Sequence, residues 1–349
     1  MVISLYPLRL QASLHETIWG GRRLEADGWK QLSPANVTIG EAWETEINTI
    51  VQNGPYAGQS LGEVVDILRA SLLGKQALAV YGQRFPLLAK FIDANAQLSV
   101  QVHPEDDYAA KHEGGKLGKT EFWYILATET QGKIVYGFQH QTDQSQVEQA
   151  IQDVTLQELL HEEPVQAGDI IFVPAGTVHA IGSGVLLYEL QEYSDVTYRM
   201  YDYGRLTASG KPRELHIRQS LDVARYTPPL EVKVQPVPLS TAHDLPDRCL
   251  VACRYFLTRE IQLQENLQLH GVTDSSCIIL TCLGDEAQVF YGERGTRVEY
   301  ITRGETLVIP ASLGEYHIQG QGALLFSYVP EPSDVAWQLW REKNSTYGD

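Results

Sequence analysis

A chain of 349 residues with 43% hydrophobic content is long enough for two ordinary domains, or one large β domain with insertions, and it can bury real cores. Its formal net charge of −17 makes nucleic acid and anionic lipid poor partners, although a local basic pocket can still hold a small anion against the global field. No stretch approaches the roughly 18 uninterrupted apolar residues of a membrane span, and the start Met1-Val2-Ile3-Ser4-Leu5-Tyr6-Pro7 lacks the basic and apolar regions of a signal peptide, so a cytoplasmic protein is expected.

The opening segment mixes short extended runs with turn residues, as at Trp19-Gly20-Gly21 and Ile39-Gly40-Glu41-Ala42-Trp43-Glu44. Residues 60–82 carry helical spacing of apolar positions behind Ser60 as a cap. Phe85 to Val102 reads as two strands around a turn at Ala94-Asn95-Ala96, and strands continue through Glu121–Leu126 and Lys133–Phe138. Residues 142–163 are expected to be helical, with Val147, Ala150, Ile151 and Val154 on one stripe. Strands return at Asp169–Val173 and Gly184–Glu192, and a helix opening at Pro212 is expected over 212–224. Thr227-Pro228-Pro229 and Pro236-Val237-Pro238 bracket a linker, and after about residue 250 the pattern is nearly all strand and turn. The four cysteines, Cys249, Cys253, Cys277 and Cys282, lie in this last part. Their spacing invites a zinc reading, but Cys277 and Cys282 close a strand-like run, and reduced, half-buried thiols are the expectation.

The chain echoes itself. Gly304–Glu315 aligns without a gap on Gly168–His179, with Pro310 on Pro174 and Glu315 where His179 stands. Val289-Phe290-Tyr291-Gly292 likewise repeats Val135-Tyr136-Gly137. Two related β units imply a duplicated jelly-roll barrel. The expected division is a catalytic part over 1–235, with helical insertions near 60–82 and 142–163, and a degenerate β part over 236–349. The second unit lacks the histidine, although His317, two positions later, shares its strand face.

His103 follows Gln101-Val102 and precedes Pro104, Glu121 begins a strand, and His179 follows the Pro174-Ala175-Gly176 corner. Two histidines and one carboxylate on a β scaffold make a divalent metal site with open positions, as a catalytic metal requires. Gln101, two residues before His103, points the same way in an extended strand. The same triad also serves iron or manganese oxygenases, so these residues alone leave the reaction open.

Gly168–His179 resembles the second signature of the cupin superfamily: Gly, five residues, Pro, one residue, Gly, two residues, His. Ordinary cupins begin their first signature with His-any-His, where this chain has Gln101-Val102-His103. With Lys119-Thr120-Glu121-Phe122-Trp123-Tyr124 and the run from Tyr188 to Tyr203, the chain is identified as resembling the type I mannose-6-phosphate isomerases, in their shorter bacterial form. The resemblance is dense from about Trp19 to Asp222 and weaker beyond. It implies a mainly β fold of duplicated cupin barrels, the second lacking the metal site. It also implies one Zn2+ per chain on Gln101, His103, Glu121 and His179, with Arg199 and Lys119 catalytic and Ser99, Lys119 and Arg205 holding phosphate. The substrate would be a small sugar phosphate, isomerised by proton transfer between C2 and C1 through a cis-enediol. A metal-held water, a histidine or a carboxylate are all able to take the proton, and the residues do not choose among them. An oxygenase is disfavoured by Gln101, and a non-catalytic sugar-binding cupin by the retained ligands and arginine. Trp19, Trp43 and Glu44 match family positions but are assigned to packing, and a structural role for His216 is at least as well supported as an approach to the pocket. Oligomeric state is not specified by these residues.

Overall fold

The computed structural model describes residues 5–34, 36–207, 210–240 and 245–347. Two antiparallel sheets enclose the candidate ligands. One has six strands, in spatial order Ile170–Val173, Glu121–Thr128, Val185–Glu192, Leu87–Ala94, Ile39–Trp43 and Ser13–Gly21. The other has five, in the order Tyr198–Tyr201, Val100–Val102, His179–Ile181, Lys133–Phe138 and Leu160–Pro164. Their facing sides interdigitate, with Ile92, Trp123, Ile125 and Leu187 of the first meeting Ile134, Tyr136 and Ile181 of the second.

The back of the six-stranded sheet is covered as well. Phe91, Phe122, Tyr124, Tyr188 and Leu190 share one core with Phe256, Leu257, Leu280 and Phe326 of the C-terminal strands. Leu87–Ala94 and Val185–Glu192 are therefore buried at every position, the charged Lys90, Asp93, Glu189 and Glu192 included. The back of the five-stranded sheet is closed by helices Gln144–Gln152 and Ile217–Val223, whose Val147 and Leu221 pack with Val100, Val102 and Ala180.

A third sheet of eleven strands holds the C-terminal part, and the N-terminal strand Leu8–Gln11 belongs to it, pairing with Thr306–Ile309. The helical segment Ala70–Tyr81, kinked at Gly74, is laced to the same unit, since Gln76 N–H donates to Ser275 O and Ala311 N–H to Leu72 O, both at 2.9 Å.

The mainly β, cupin-like architecture expected from the sequence is present. Gly168 and Gly304 open the two echoed runs at φ 92° and 77°, and Gly137 and Gly292 lie at 71° and 78°. Glu315, at the place of His179, is exposed, and His317 stacks on Phe290 at 4.6 Å between centroids. Ser60 caps its helix through a reciprocal capping box with Glu63.

Three expectations need correction. The helix expected over 142–163 runs only from Gln144 to Gln152, because Val154 is left-handed (φ 61°) and exposed, and Leu160–Pro164 is a strand. The helix expected from Pro212 begins at Ile217, and Pro212 instead forms a bridge with Leu206. The C-terminal part ends in a helix, Val335–Lys343, capped by Asp334 and anchored where Trp340 Nε1 donates to Leu250 O at 3.0 Å. Cys249, Cys277 and Cys282 are buried free thiols and Cys253 is a half-buried one. Among the described residues no helix is long and apolar enough to cross a membrane.

Two stability predictions follow from this packing. Gly74 has φ 84° and ψ 164°, and a Cβ there would stand 2.3 Å from the Ser275 carbonyl oxygen. Gly74→Ala should cost about 1–3 kcal/mol from the backbone alone, read as a lower urea midpoint; an unchanged midpoint would show that the helix does not depend on this contact. Glu192 is buried where the two barrels meet, with Oε1 accepting from Thr120 N–H at 2.9 Å and Oε2 unpartnered. Burial, then the charge of Asp106, pushes its pKa from 4.5 up to about 8. The folded protein thus keeps this proton across that window while the unfolded chain loses it, so stability falls as pH rises from about 4.5 to 8. Glu192→Gln should flatten that slope and raise Tm at pH 8, and a slope identical to wild type would refute the assignment.

Candidate metal centre

Register assembles the site. In the five-stranded sheet Gln101 lies directly opposite His179, and Arg199 directly opposite Gln101. Directly paired residues share a face, so Arg199, Gln101 and His179 form one row toward the barrel interior. Alternation puts His103 on that side too. Glu121 enters from the opposing sheet, on the same face as Trp123 and paired with Gln191 and Val173. The ligand atoms of His103, Glu121 and His179 lie within 4.8 Å of one another, and all three residues are buried. His103 Nε2 is 3.6 Å from Glu121 Oε2, and His179 Nε2 is 3.5 Å from Oε1.

The backbone aims both imidazoles. His103 Nδ1 donates to Val196 O at 2.9 Å and His179 Nδ1 to Thr177 O at 2.8 Å, which leaves each Nε2 lone pair facing the carboxylate. Gly176, at φ 86°, turns the chain so that its N–H meets the His103 carbonyl at 2.8 Å, tying the two ligand segments together. Trp123 packs edge-on against the His179 ring at 5.4 Å.

Electrostatics favour a cation. Burial, then the charges of Lys119 and His179, holds His103 well below its usual pKa, and burial brings His179 down to about 4, so both rings are neutral at pH 7. Burial and then Glu189 push the Glu121 pKa up, against the pull of Lys119, whose Nζ is 2.6 Å from Oε2 and 3.1 Å from His103 Nε2. Behind this group, Lys90 bridges Glu189 at 3.2 Å and Glu41 at 3.4 Å. The carboxylates of Glu41, Glu121 and Glu189 outnumber the ammonium groups of Lys90 and Lys119 by one. Glu121 Oε1 and His179 Nε2 are buried without a hydrogen bond. Two neutral imidazole nitrogens, a carboxylate and a surplus of negative charge fit a divalent metal ion.

The other expected residues divide between two ends of the site. Lys119 lies at the metal end, and Gln101 is placed there by register. Arg199 is half-buried one strand beyond Gln101; its Nη1 donates to Glu214 O at 2.9 Å, and its Nε is buried without a partner. Arg205 donates from Nε to Asp202 Oδ1 at 3.1 Å and from Nη1 to Gln97 O, and buried Ser99 lies two residues beyond Gln97. Trp19 joins the barrel core, Trp43 lies under Lys90 Nζ at 4.7 Å, and Glu44 pairs with Lys30 at 2.7 Å. His216 Nδ1 accepts from Arg199 N–H at 3.2 Å, a structural contact.

Sequence reasoning missed Lys90, Glu189 and Arg213. For the first two the signal was available, since each is a charged residue inside an otherwise apolar strand, Leu88-Ala89-Lys90-Phe91 and Leu187-Tyr188-Glu189-Leu190. Arg213 was hidden by the helix assigned to its segment. It donates from Nε to Asp202 Oδ2 at 2.8 Å and from Nη2 to Oδ1.

Comparison with known proteins is consistent with this site. The type I phosphomannose isomerase catalytic domain matches residues 7–121. The chain is 36% identical over 331 residues to the mannose-6-phosphate isomerase ManA of Bacillus subtilis, covering 93% of this chain and 99% of that one. It is 34% identical over 330 residues to the mannose-6-phosphate isomerase of Streptococcus mutans, with the same coverage. A crystal structure of the Bacillus subtilis mannose 6-phosphate isomerase superposes with a TM-score of 0.82 at 30% identity, over 92% of this chain and 99% of that one. Phosphomannose isomerase structures from Salmonella typhimurium share the fold, with a TM-score of 0.73 at 17% identity.

Glu121→Gln keeps the shape of the side chain and removes its charge. It should reduce bound divalent metal from one equivalent to well below stoichiometric, by elemental analysis, with the circular dichroism unchanged. A full equivalent of metal in this variant would exclude Glu121 as a ligand.

Proposed function

The chain belongs to the type I phosphomannose isomerase family, and from that premise we propose that it interconverts mannose 6-phosphate and fructose 6-phosphate by moving one proton between C2 and C1 through a cis-enediol, with one zinc ion per chain. The observation that carries this reading is the meeting of His103, Glu121 and His179 inside the barrel, in line with Gln101 and Arg199. Zinc held by Gln101, His103, Glu121 and His179 supplies Lewis-acid polarisation of a substrate hydroxyl or carbonyl oxygen. With Glu121 as the one anionic donor in this set, a divalent ion held there would keep a net positive charge and with it its electrophilic character.

The chain's own residues supply the rest. Lys119, beside Glu121, is suited to donate to an oxygen that gains negative charge as the enediol forms. This position supports a catalytic role for Lys119 over the phosphate contact also expected of it. Arg199, about two strand spacings or roughly 10 Å from the His179 strand, reaches the middle of a six-carbon chain whose reacting end is at the metal. Ser99 and Arg205, farther along the same side, hold the phosphate, the guanidinium by paired donors and the serine by its hydroxyl. On this reading the metal-bearing barrel lies within residues 1–235, the second barrel takes residues 236–349 together with the strands Leu8–Gln11 and Ile50–Val51, and the enzyme works in the cytoplasm on a small sugar phosphate.

The test is a coupled assay on purified protein given mannose 6-phosphate, repeated after chelation and after zinc restoration. Turnover lost on chelation and restored by zinc is the expected result; no turnover with one equivalent of zinc bound would refute the substrate assignment. Arg199→Ala with intact metal should lower kcat on the order of 10²–10³-fold, and near-normal turnover would remove its catalytic role.

A further inference from the structure

Two guanidinium groups, those of Arg205 and Arg213, bind the single carboxylate of Asp202, and Arg199 lies within electrostatic range of all three. Asp202 is almost fully buried and uses both oxygens: Oδ1 accepts from Arg205 Nε at 3.1 Å, Oδ2 from Arg213 Nε at 2.8 Å, and Oδ1 also from Nη2 of each arginine. With Glu214 also acting on Arg199, three positive charges against two carboxylates leave a local positive surplus, in a chain whose formal net charge is −17. A local positive surplus of this kind suits an anionic ligand such as a phosphate monoester. The pKa of Arg199 is lowered by burial first and by Arg213 next, a sign that the guanidinium groups act on one another. Arg199 Nε is buried with no partner, an arrangement that is unfavourable until an acceptor arrives.

The chain path explains the grouping. Tyr203 and Gly204 are both left-handed, at φ 56° and 67°, and turn the chain sharply after Asp202. The bridge between Leu206 and Pro212 then closes a loop, so Arg205 and Arg213 stand at its two feet. One carboxylate between the feet fixes both arms, and the remaining Arg205 nitrogen, Nη1, donates to Gln97 O.

We propose that Arg213 is a second phosphate-binding arginine, and that Asp202 is the positioning residue that holds Arg205 and Arg213 as a preformed cradle for a dianionic phosphate monoester. The proposal rests on the isomerase reading for the identity of the substrate, but the cradle is defined by its own geometry. Its consequence is specificity: affinity for the phosphorylated sugar is set at this loop, while turnover is set at the metal end.

The test uses the full-length zinc-loaded enzyme and its Arg213→Ala, Arg213→Lys and Asp202→Asn variants. For each, KM and kcat for mannose 6-phosphate, the inhibition constant of inorganic phosphate and the zinc content are measured. Arg213→Ala should raise KM and the phosphate inhibition constant together, roughly 10- to 100-fold as expected for one charged hydrogen-bond pair, with kcat within about twofold and a full equivalent of zinc. Arg213→Lys should recover part of the loss, because charge returns without the planar fork. Asp202→Asn should weaken phosphate in the same direction. A fall in kcat or zinc content with an unchanged phosphate inhibition constant would overturn the proposal, since it marks a structural residue. Wild-type protein without isomerase activity would overturn the isomerase reading instead, and calorimetric titration of inorganic phosphate into wild type and Arg213→Ala would then decide the cradle: equal affinity refutes it.

Discussion

Glu121 is fully buried between two sheets, and an ionised carboxylate in that setting costs several kcal/mol unless opposite charge is buried with it. Lys119 is placed two residues away on the same strand side and touches it at 2.6 Å. Lys90, from the middle of the same sheet, balances Glu189 and Glu41 behind it. The set is still short of one positive charge. The two imidazoles do not supply it, because burial keeps them neutral, and their lone pairs ask for a cation as well. A divalent ion therefore satisfies the electrostatic deficit and the unpartnered ligand atoms at once. The barrel interior is stable as a metal site in a sense that it is not stable as an empty polar cavity.

That constraint explains why so much of the chain serves as wall. A low-dielectric interior requires that both strands flanking the charged column be covered on both faces, and the C-terminal barrel covers the back of the six-stranded sheet through Phe122, Tyr124 and Tyr188. The duplicated unit retains the turn glycines of the first, Gly304 for Gly168 and Gly292 for Gly137, at matching backbone angles. It does not retain the ligand, and Glu315 faces solvent where His179 is buried. Scaffold geometry and chemistry have separated in the second copy, which contributes surface to be packed against. The N-terminal strand and the helix Ala70–Tyr81 bind the two units into one body.

The cluster of His103, Glu121 and His179 was legible in the sequence because its members leave local marks. His179 follows a Gly-Pro-Gly frame that turns the chain, and His103 sits at a strand end before Pro104. The strand content and the echo were legible for the same reason, since turn glycines and apolar runs are local. What stayed hidden depends on contacts distant in sequence. Lys90 and Glu189 looked like interruptions in apolar strands until the sheet register set them side by side. The helix assigned over 142–163 failed at Val154, where apolar periodicity continued through a residue that the backbone turns left-handed and leaves exposed. The helix assigned from Pro212 failed because that proline is used in a bridge closing a loop. The C-terminal helix was not read at all, its short amphipathic pattern lying behind a long stretch of strands.

The two ends of the site differ in how they are held, and the difference follows from what each must do. Metal ligands tolerate little displacement, and the candidate ligands stand on or beside paired strands, with each imidazole fixed by a backbone carbonyl. A phosphate presents several equivalent oxygens and tolerates more, so it can be met from a loop if the loop's charges are prevented from spreading apart. Asp202 meets that requirement. It neutralises one of three guanidinium charges, which lowers their mutual repulsion, and its own pKa stays below the usual value despite burial because Arg213 and Arg205 donate to it. Being ionised over the whole physiological range, it holds the arms in place before any ligand arrives. The ordering of these flexible side chains is thus settled on folding and not on binding. On the proposed reading, a strand-built end for chemistry and a carboxylate-clamped loop for recognition are two solutions to one problem, that of placing charge where water no longer screens it.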